Sequence, residues 1–369
     1  MDRDELSAWL RLLETPGIGR DSARALLTAF GSPQSILDAS TDARRSVVGA
    51  VAAAALASEP PAFAVRLDAA WNWLQAADDP AETRGVLAIG DPRFPSALLE
   101  IADPPLLLYV RGRIDMLARP ALAIVGSRNP TAQGLENARA FASHLSHAGW
   151  AVVSGLALGV DGAAHEGALE GDGGTIAVVG TGLDRVYPAR HRALAKRIAT
   201  RGLLVSEFAV GTPALPPHFP VRNRIIAGLT RGTLVVEAAL HSGSLITAKM
   251  AAEAGREVFA IPGSIHSPQS RGCHFLLKQG AKLVETASDI LEELAPASAG
   301  SAARAVAAGP PPAQDPVLEA LGYEPMSLDE LIARTGRSAA ELSARLLDLE
   351  LEGRVARSPG QTFQRIERG

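Results

Sequence analysis

The chain has 369 residues, 47% hydrophobic and 21% charged, with a net charge of −4, and that length calls for two or three domains. No apolar run is long enough to span a bilayer, and the opening MDRDELSAWL has no signal-peptide core, so a cytoplasmic protein is expected. The single cysteine, Cys273, excludes an internal disulfide framework and a cysteine-rich zinc site, and no cofactor is expected.

Charge is unevenly spread. Residues 182–206 carry Arg185, Arg190, Arg192, Lys196, Arg197 and Arg201 against Asp184 alone, and residues 222–231 carry three arginines and no acid. The C-terminal part is acidic. Local fields decide where a polyanion sits, so the net charge leaves nucleic acid open as a partner.

Residues 1–80 read as all-helical. Leu6, Trp9, Leu10 and Leu13 keep a helical period, and Thr15-Pro16-Gly17-Ile18-Gly19 then leads into a second helix over 21–29. Two readings stay open for this turn: a helix-hairpin-helix that offers amides to a DNA phosphate, or a tight turn inside a helical bundle. Trp71 and Trp73 read as core. Residues 81–115 form a proline-punctuated bridge with one strand over 106–110.

Residues 116–295 alternate apolar strands with helices. Strands are expected over 121–125, 151–154, 175–179, 203–206, 233–237, 257–260 and near 282–284, and helices over 134–148, 162–169, 191–200 and 245–254. Continuous apolar strands with helical crossovers imply a Rossmann-like, doubly wound, mostly parallel sheet, which binds ligands beyond its strand C-termini. Residues 296–315 read as a linker. Residues 316–369, with three helices and a hairpin, suggest a winged helix.

The stretch 220–248 organises the site. A turn carrying Arg222, Asn223 and Arg224 is expected to open a helix at 225, and the strand after it runs into Ser242-Gly243-Ser244 at the next helix start, with Thr247 one turn along. Amides at a helix start attract anions, and two guanidiniums add forked donors suited to phosphate. The first strand ends in Gly126-Ser127-Arg128, which lacks the GxGxxG dinucleotide pattern but admits an anion. Ser154, Asp161 and His165 follow the second strand. With no GxSxG elbow and no second zinc-motif histidine they read as structural, with Asp161 as a helix cap. Arg190, Arg192 and Lys196 form either a positive track leading away from the pocket or a solvated helix face. No phosphate-binding loop of the NTPase type occurs.

In order, VGSRNPTAQG, SGLALGVDGAAHEGAL, TGLDRVYP, SEFAVGTP, FPVRNRIIAGL, SGSLITA, IPGS and LLKQGA resemble the DNA-processing protein A (DprA/Smf) family over roughly residues 90–285. The resemblance implies a protein that is not an enzyme. It would bind single-stranded DNA, dimerise through the Rossmann-like domain, and load the RecA recombinase onto DNA displaced from single-strand binding protein, in natural transformation and recombination. The DNA pocket carried over would be Gly126, Ser127, Arg128, Arg222, Asn223, Arg224, Ser242, Gly243, Ser244 and Thr247. Pro216 and Pro217 stand where some members have a lysine, for which Arg190 or Arg192 would compensate. Phe219 would either stack on a base or anchor in the core. Two rivals remain. A phosphoribohydrolase would need a PGGxGTxxE-like turn, but this one reads HSGSLITA, with Glu237 before it. A winged-helix DNA reader would put residues 338–352, rich in Glu and Asp, against a polyanion.

Overall fold

The computed structural model describes residues 1–76, 82–295, 315–323, 325–358 and 361–366. The expected linker therefore falls almost wholly outside the described residues. Helices α1 (Arg3–Glu14), α2 (Arg20–Phe30), α3 (Pro33–Asp38), α4 (Thr41–Ala55) and α5 (Phe63–Gln75) open the chain. The sheet follows with β1 (Arg84–Ala88), β2 (Leu107–Gly112), β3 (Ala121–Val125), β4 (Ala151–Ser154), β5 (Thr175–Val178), β6 (Leu203–Ser206), β7 (Gly232–Val235), β8 (Glu257–Ala260) and β9 (Lys282–Leu283). Helices α6 (Ala132–His147), α7 (Val160–Ala168), α8 (Arg192–Arg201), α9 (His218–Gly228), α10 (Gly243–Glu253), α11 (Arg271–Lys278) and α12 (Ala287–Leu294) intervene.

The strand order is β1-β2-β6-β5-β4-β3-β7-β8-β9. From β6 to β9 every pairing is parallel, while β1 and β2 form an antiparallel edge. The sheet is thus doubly wound and mostly parallel. Winding proceeds outward from β3 to β6, then returns to lay β7 on the other side of β3. The C-termini of β3 and β7 diverge there, at the switch point where such sheets open a crevice.

Alternate residues of each central strand feed opposite cores. Ala121, Ala123 and Val125 face one apolar layer, and Leu122 and Ile124 face the other. Period-two alternation across two buried faces is why these strands read as unbroken apolar runs. β1 is the element the bridge expectation misses: RGVLA shows no clean alternation, and its hydrogen-bonding partner is β2.

The helical N-terminal region shares a core with the antiparallel edge. Leu6, Trp9 and Leu26 belong to the same buried cluster as Val86 and Tyr109. Trp73 packs edge-on against Tyr109, with ring centroids 6.1 Å apart, a geometry worth about 1 kcal/mol beyond area burial. The turn between α1 and α2 is closed by the Ile18 N–H on the Thr15 carbonyl at 3.1 Å. Helix α2 is turned inward, because Arg20 and Arg24 both pair with Asp103 at 2.6 and 2.9 Å.

A winged-helix unit closes the chain. It comprises α13 (Pro316–Leu321), β10 (Met326–Ser327), α14 (Leu328–Thr335), α15 (Ala339–Leu351), β11 (Val355–Ser358) and β12 (Thr362–Arg365), in a three-stranded sheet ordered β10-β12-β11. Helices α14 and α15 both start with a capping box, Ser327 with Glu330 and Ser338 with Glu341. On α15, Arg345 is held by Asp315 at 2.6 Å and approached by Asp348 and Glu352. That face is spent on acids, which suits it poorly to a polyanion.

Candidate nucleic-acid interface

A cavity of about 680 Å³ opens at the switch point, between the loop after β3 and the N-terminus of α10. Gly126, Ser127 and Arg128 border it from the first loop. Phe219, Arg222 and Asn223 border it from α9, and Ser242, Gly243, Ser244 and Thr247 from α10. Ten of the thirteen expected residues are therefore brought together.

Helix α9 corrects the expected local structure. It begins at His218, not at residue 225, so Arg222, Asn223 and Arg224 lie inside it. Pro220 sits in the first turn, where its missing N–H is not needed, so the helix nucleates straight after Pro216 and Pro217. Helical spacing then separates the two arginines. Arg222 faces the cavity floor. Arg224 does not border the cavity: its Nε lies 3.3 Å from Asp103, and its Nη2 donates to Glu207. Burial acts to raise the Asp103 carboxyl, but Arg20, Arg224 and Arg24 together hold it below the usual range. Asp103 is thus shared by Arg224 of α9 and by Arg20 and Arg24 of α2, which ties α9 to the helical N-terminal region. Arg224→Ala is expected to cost roughly 3 kcal/mol of stability, because it leaves the largely buried Glu207 with only the longer Arg20 contact at 3.8 Å. Affinity for single-stranded DNA in the folded fraction should stay within about twofold of wild type. Chemical denaturation and oligonucleotide titration of one sample check both.

Arg222 is 5% exposed. Its Nη1 donates to the Val178 carbonyl, and its guanidinium lies flat on Gly155, where a Cβ would sit 1.9 Å from Nη1. Only glycine fits under it. Burial drives its pKa down to about 10, Asp161 opposes the fall, and Arg128 adds to it. The group is charged at neutral pH. Its Nε has no hydrogen-bond partner among the described residues. A buried cation with a spare donor beneath a crevice is a ready floor for an anion.

Arg128 is exposed at the mouth. Its guanidinium lies 5.7 Å from the Phe219 ring centroid, and it has no ion pair among the described residues. Phe219 is half-buried and also touches Tyr187, with ring centroids 5.6 Å apart. Phe219 is thus neither fully buried nor free: it packs on Tyr187 and borders the cavity. Across the mouth, Ser242 caps α10 by accepting from Ser244 N–H at 3.3 Å. The Gly243 N–H has no acceptor among the described residues.

Two local expectations need correction. The Ser127 N–H is not free for an anion, because it donates to the Glu237 carbonyl at 2.7 Å. Gly126 serves packing: a Cβ there would meet Val160 Cγ2 at 2.7 Å and the Glu237 oxygen at 2.9 Å. Both follow from close contact between the β3 and β7 ends, which residue-type reasoning could not see. Arg190 and Arg192 are exposed and lie away from this cavity. Tyr187 and His241 border it and are not among the expected residues, although Tyr187 lies within the TGLDRVYP motif.

Ser154, Asp161 and His165 form no catalytic relay. Helix α7 starts at Val160 after Gly159, so Asp161 is within its first turn, not its cap. The Asp161 carboxylate accepts from Gly155 N–H at 3.1 Å and Ala157 N–H at 3.2 Å. Burial pushes this carboxyl up, opposed by Arg222 and those amides. Ser154 Oγ donates to the Ile124 carbonyl, and His165 joins Thr175 Oγ1 at 2.6 Å. Glu237 accepts from Thr131 N–H and Oγ1 at 2.9 and 2.6 Å. Among the described residues no cluster of His, Cys, Asp or Glu is arranged to hold a metal, and no helix is long and apolar enough to cross a membrane.

The family model described as DNA recombination-mediator protein A matches residues 85–295. The chain belongs to the DNA recombination-mediator protein A (DprA) family. The DprA winged helix domain matches residues 301–361. Protein Smf of Escherichia coli is 44% identical over 283 residues, covering 72% of this chain and 74% of that protein. The DNA processing protein DprA of Streptococcus pneumoniae is 48% identical over 206 residues, 56% of this chain and 73% of that one. Its X-ray structure superposes with a TM-score of 0.68 at 37% identity, covering 78% of this chain and 97% of that one. The Helicobacter pylori DprA, whose structure describes a single-stranded DNA binding mode, matches with a TM-score of 0.53 at 30% identity over 57% of this chain and 95% of that one.

Proposed function

We propose that this chain binds single-stranded DNA through the cavity at the switch point. In this reading Arg128 and Arg222 take the sugar-phosphate charge, Gly243 N–H and the Ser242 and Ser244 hydroxyls complete the cradle, and Asn223 and Thr247 fix it laterally. The observation that carries the reading is the convergence of a buried, under-partnered guanidinium, an unpaired exposed guanidinium and a helix N-terminus on one crevice. Phosphate contacts carry no base information, so binding is sequence-tolerant. Tyr187 and Phe219 offer base-stacking faces.

The family membership supports the wider role: a homodimer that protects single strands displaced from single-strand binding protein and loads RecA onto them. Pairing two cavities on one strand would raise avidity by ~10²-fold or more. The role is non-catalytic. The acid bordering the cavity, Asp161, is buried and already accepts from two amides. The protein should release no free base from nucleoside monophosphates.

Arg128→Ala is expected to weaken binding to oligo-dT, oligo-dC and mixed sequence alike, by about 10- to 100-fold, the loss of a charge-assisted contact. Fluorescence anisotropy at moderate salt measures it. Unchanged affinity for all three would overturn the proposed site.

A further inference from the structure

A second cavity, of about 310 Å³, lies behind the loops that border the first. Its floor is apolar: Leu156, Val179, Leu183 and Leu204. Its rim carries Arg185, Arg192 and Lys196. Deeper in, Arg111 is fixed by Glu82 through hydrogen bonds of 2.8 and 2.5 Å, so the one acid in this lining is already neutralised. Arg192 and Lys196 stand one turn apart on α8, and among the described residues neither has an ion-pair partner. Arg185 pairs only with its exposed neighbour Asp184 at 2.8 Å. A surface pair of that kind is weak and exchanges readily for phosphate.

The two cavities are divided by a thin ridge. Leu156 faces the second and Ala157 the first; Val186 faces the second and Tyr187 the first. The ridge is rigid. Leu156 is held at a φ of +58°, its N–H donates to His165 Nε2 at 3.3 Å, and its carbonyl lies 2.9 Å from His191 Nδ1. A left-handed conformation in a non-glycine residue persists only where its surroundings impose it. Tyr187, half exposed on the crest, can carry a base between the two.

We propose that the second cavity is a further nucleotide subsite on the same single strand. A base would lie on the apolar floor, and the flanking phosphates on Arg192, Lys196 and Arg185. The proposal rests on the single-strand reading of the first cavity and extends it past the Tyr187 ridge. It also gives the exposed α8 cations a task that the first cavity does not.

The test uses the full chain and two thymidine oligomers, one of roughly 4 nucleotides and one of roughly 16, spanning the site sizes common for single-strand binders. Arg192→Ala/Lys196→Ala changes exposed side chains, and a thermal melt matching wild type confirms folding. The short oligomer should bind as to wild type, because it fills only the first cavity. The long one should bind about tenfold more weakly, with the slope of log K against log salt reduced by about 1.4, two phosphates at ~0.7 each. The charge reversal Lys196→Glu should give the same pattern, more strongly. Unchanged affinity and slope for the long oligomer would overturn the subsite. So would loss of dTMP binding by the double variant with oligomer binding intact, which would make this a free-nucleotide pocket. Arg128→Ala separates the two proposals: it should weaken both oligomers. If it weakens neither, the first-cavity reading fails; if it weakens both while the α8 variant changes nothing, only the subsite does.

Discussion

Arg222→Ala is expected to lower stability by about 3–5 kcal/mol and to abolish measurable single-strand binding. The guanidinium favours the charged form of the buried Asp161 carboxyl, lies over Gly155 and donates to the Val178 carbonyl. Removing it leaves the Val178 carbonyl without its donor and the desolvated Asp161 without its compensating positive field, a penalty of that size. Water entering the vacated space would recover part of it. The structural and binding roles can be separated. Arg222→Met with Asp161→Asn removes both charges and should regain most of the stability, but not the binding, because the floor of the cavity is then neutral. Denaturant melts and anisotropy on the three proteins measure this. A double variant that binds as well as wild type would show that Arg222 serves the fold alone.

Acid should destabilise the protein through His165. Its pKa is driven from the usual 6.5 to about 3, chiefly by burial, with His191 and Arg222 adding repulsion. The unfolded chain therefore takes up a proton near pH 6.5, while the folded chain does not until about pH 3. Between those limits the unfolded state binds more protons, so stability falls as pH falls, by ~1.4 kcal/mol per unit and by several kcal/mol over the window. Above pH 6.5 both states are neutral and the contribution is flat. Asp161 works in the opposite sense: with its folded pKa raised, it gains a proton before the unfolded chain does and offsets part of the loss toward the acid end. Urea midpoints across pH 7 to 4 for wild type and His165→Asn should differ in slope by about one proton. Equal slopes would contradict a neutral, buried His165.

How much of this was legible in the residues depended on the range of the interactions. β3, β4, β6 and β8 lie at their expected bounds, because each is built on an apolar run that declares itself by composition. The α10 start was equally plain, since Ser-Gly-Ser after a strand is a local capping signal. Less visible were the features set by contacts far along the chain. Arg222 and Arg224 look equivalent in FPVRNRIIAGL, yet two positions apart on a helix they point in different directions. One reaches Val178, and the other reaches Asp103 and Glu207, which no local pattern announces. The loss of the Ser127 amide to Glu237 is of the same kind. So is β1, a strand whose pairing is decided by β2 and not by its own alternation.

Pro216 and Pro217 lead into α9 and bring no cation to its start. Charge at the mouth of the first cavity therefore falls to Arg128, which makes it the position to interrogate. The most direct measurement is the affinity for an oligo-dT strand as a function of salt, for wild type and Arg128→Ala side by side. The account predicts a steep linear fall of log K with log salt for wild type, a slope shallower by about 0.7 for the variant, and weaker binding throughout. Two superimposable lines would place the phosphate grip elsewhere on the molecule.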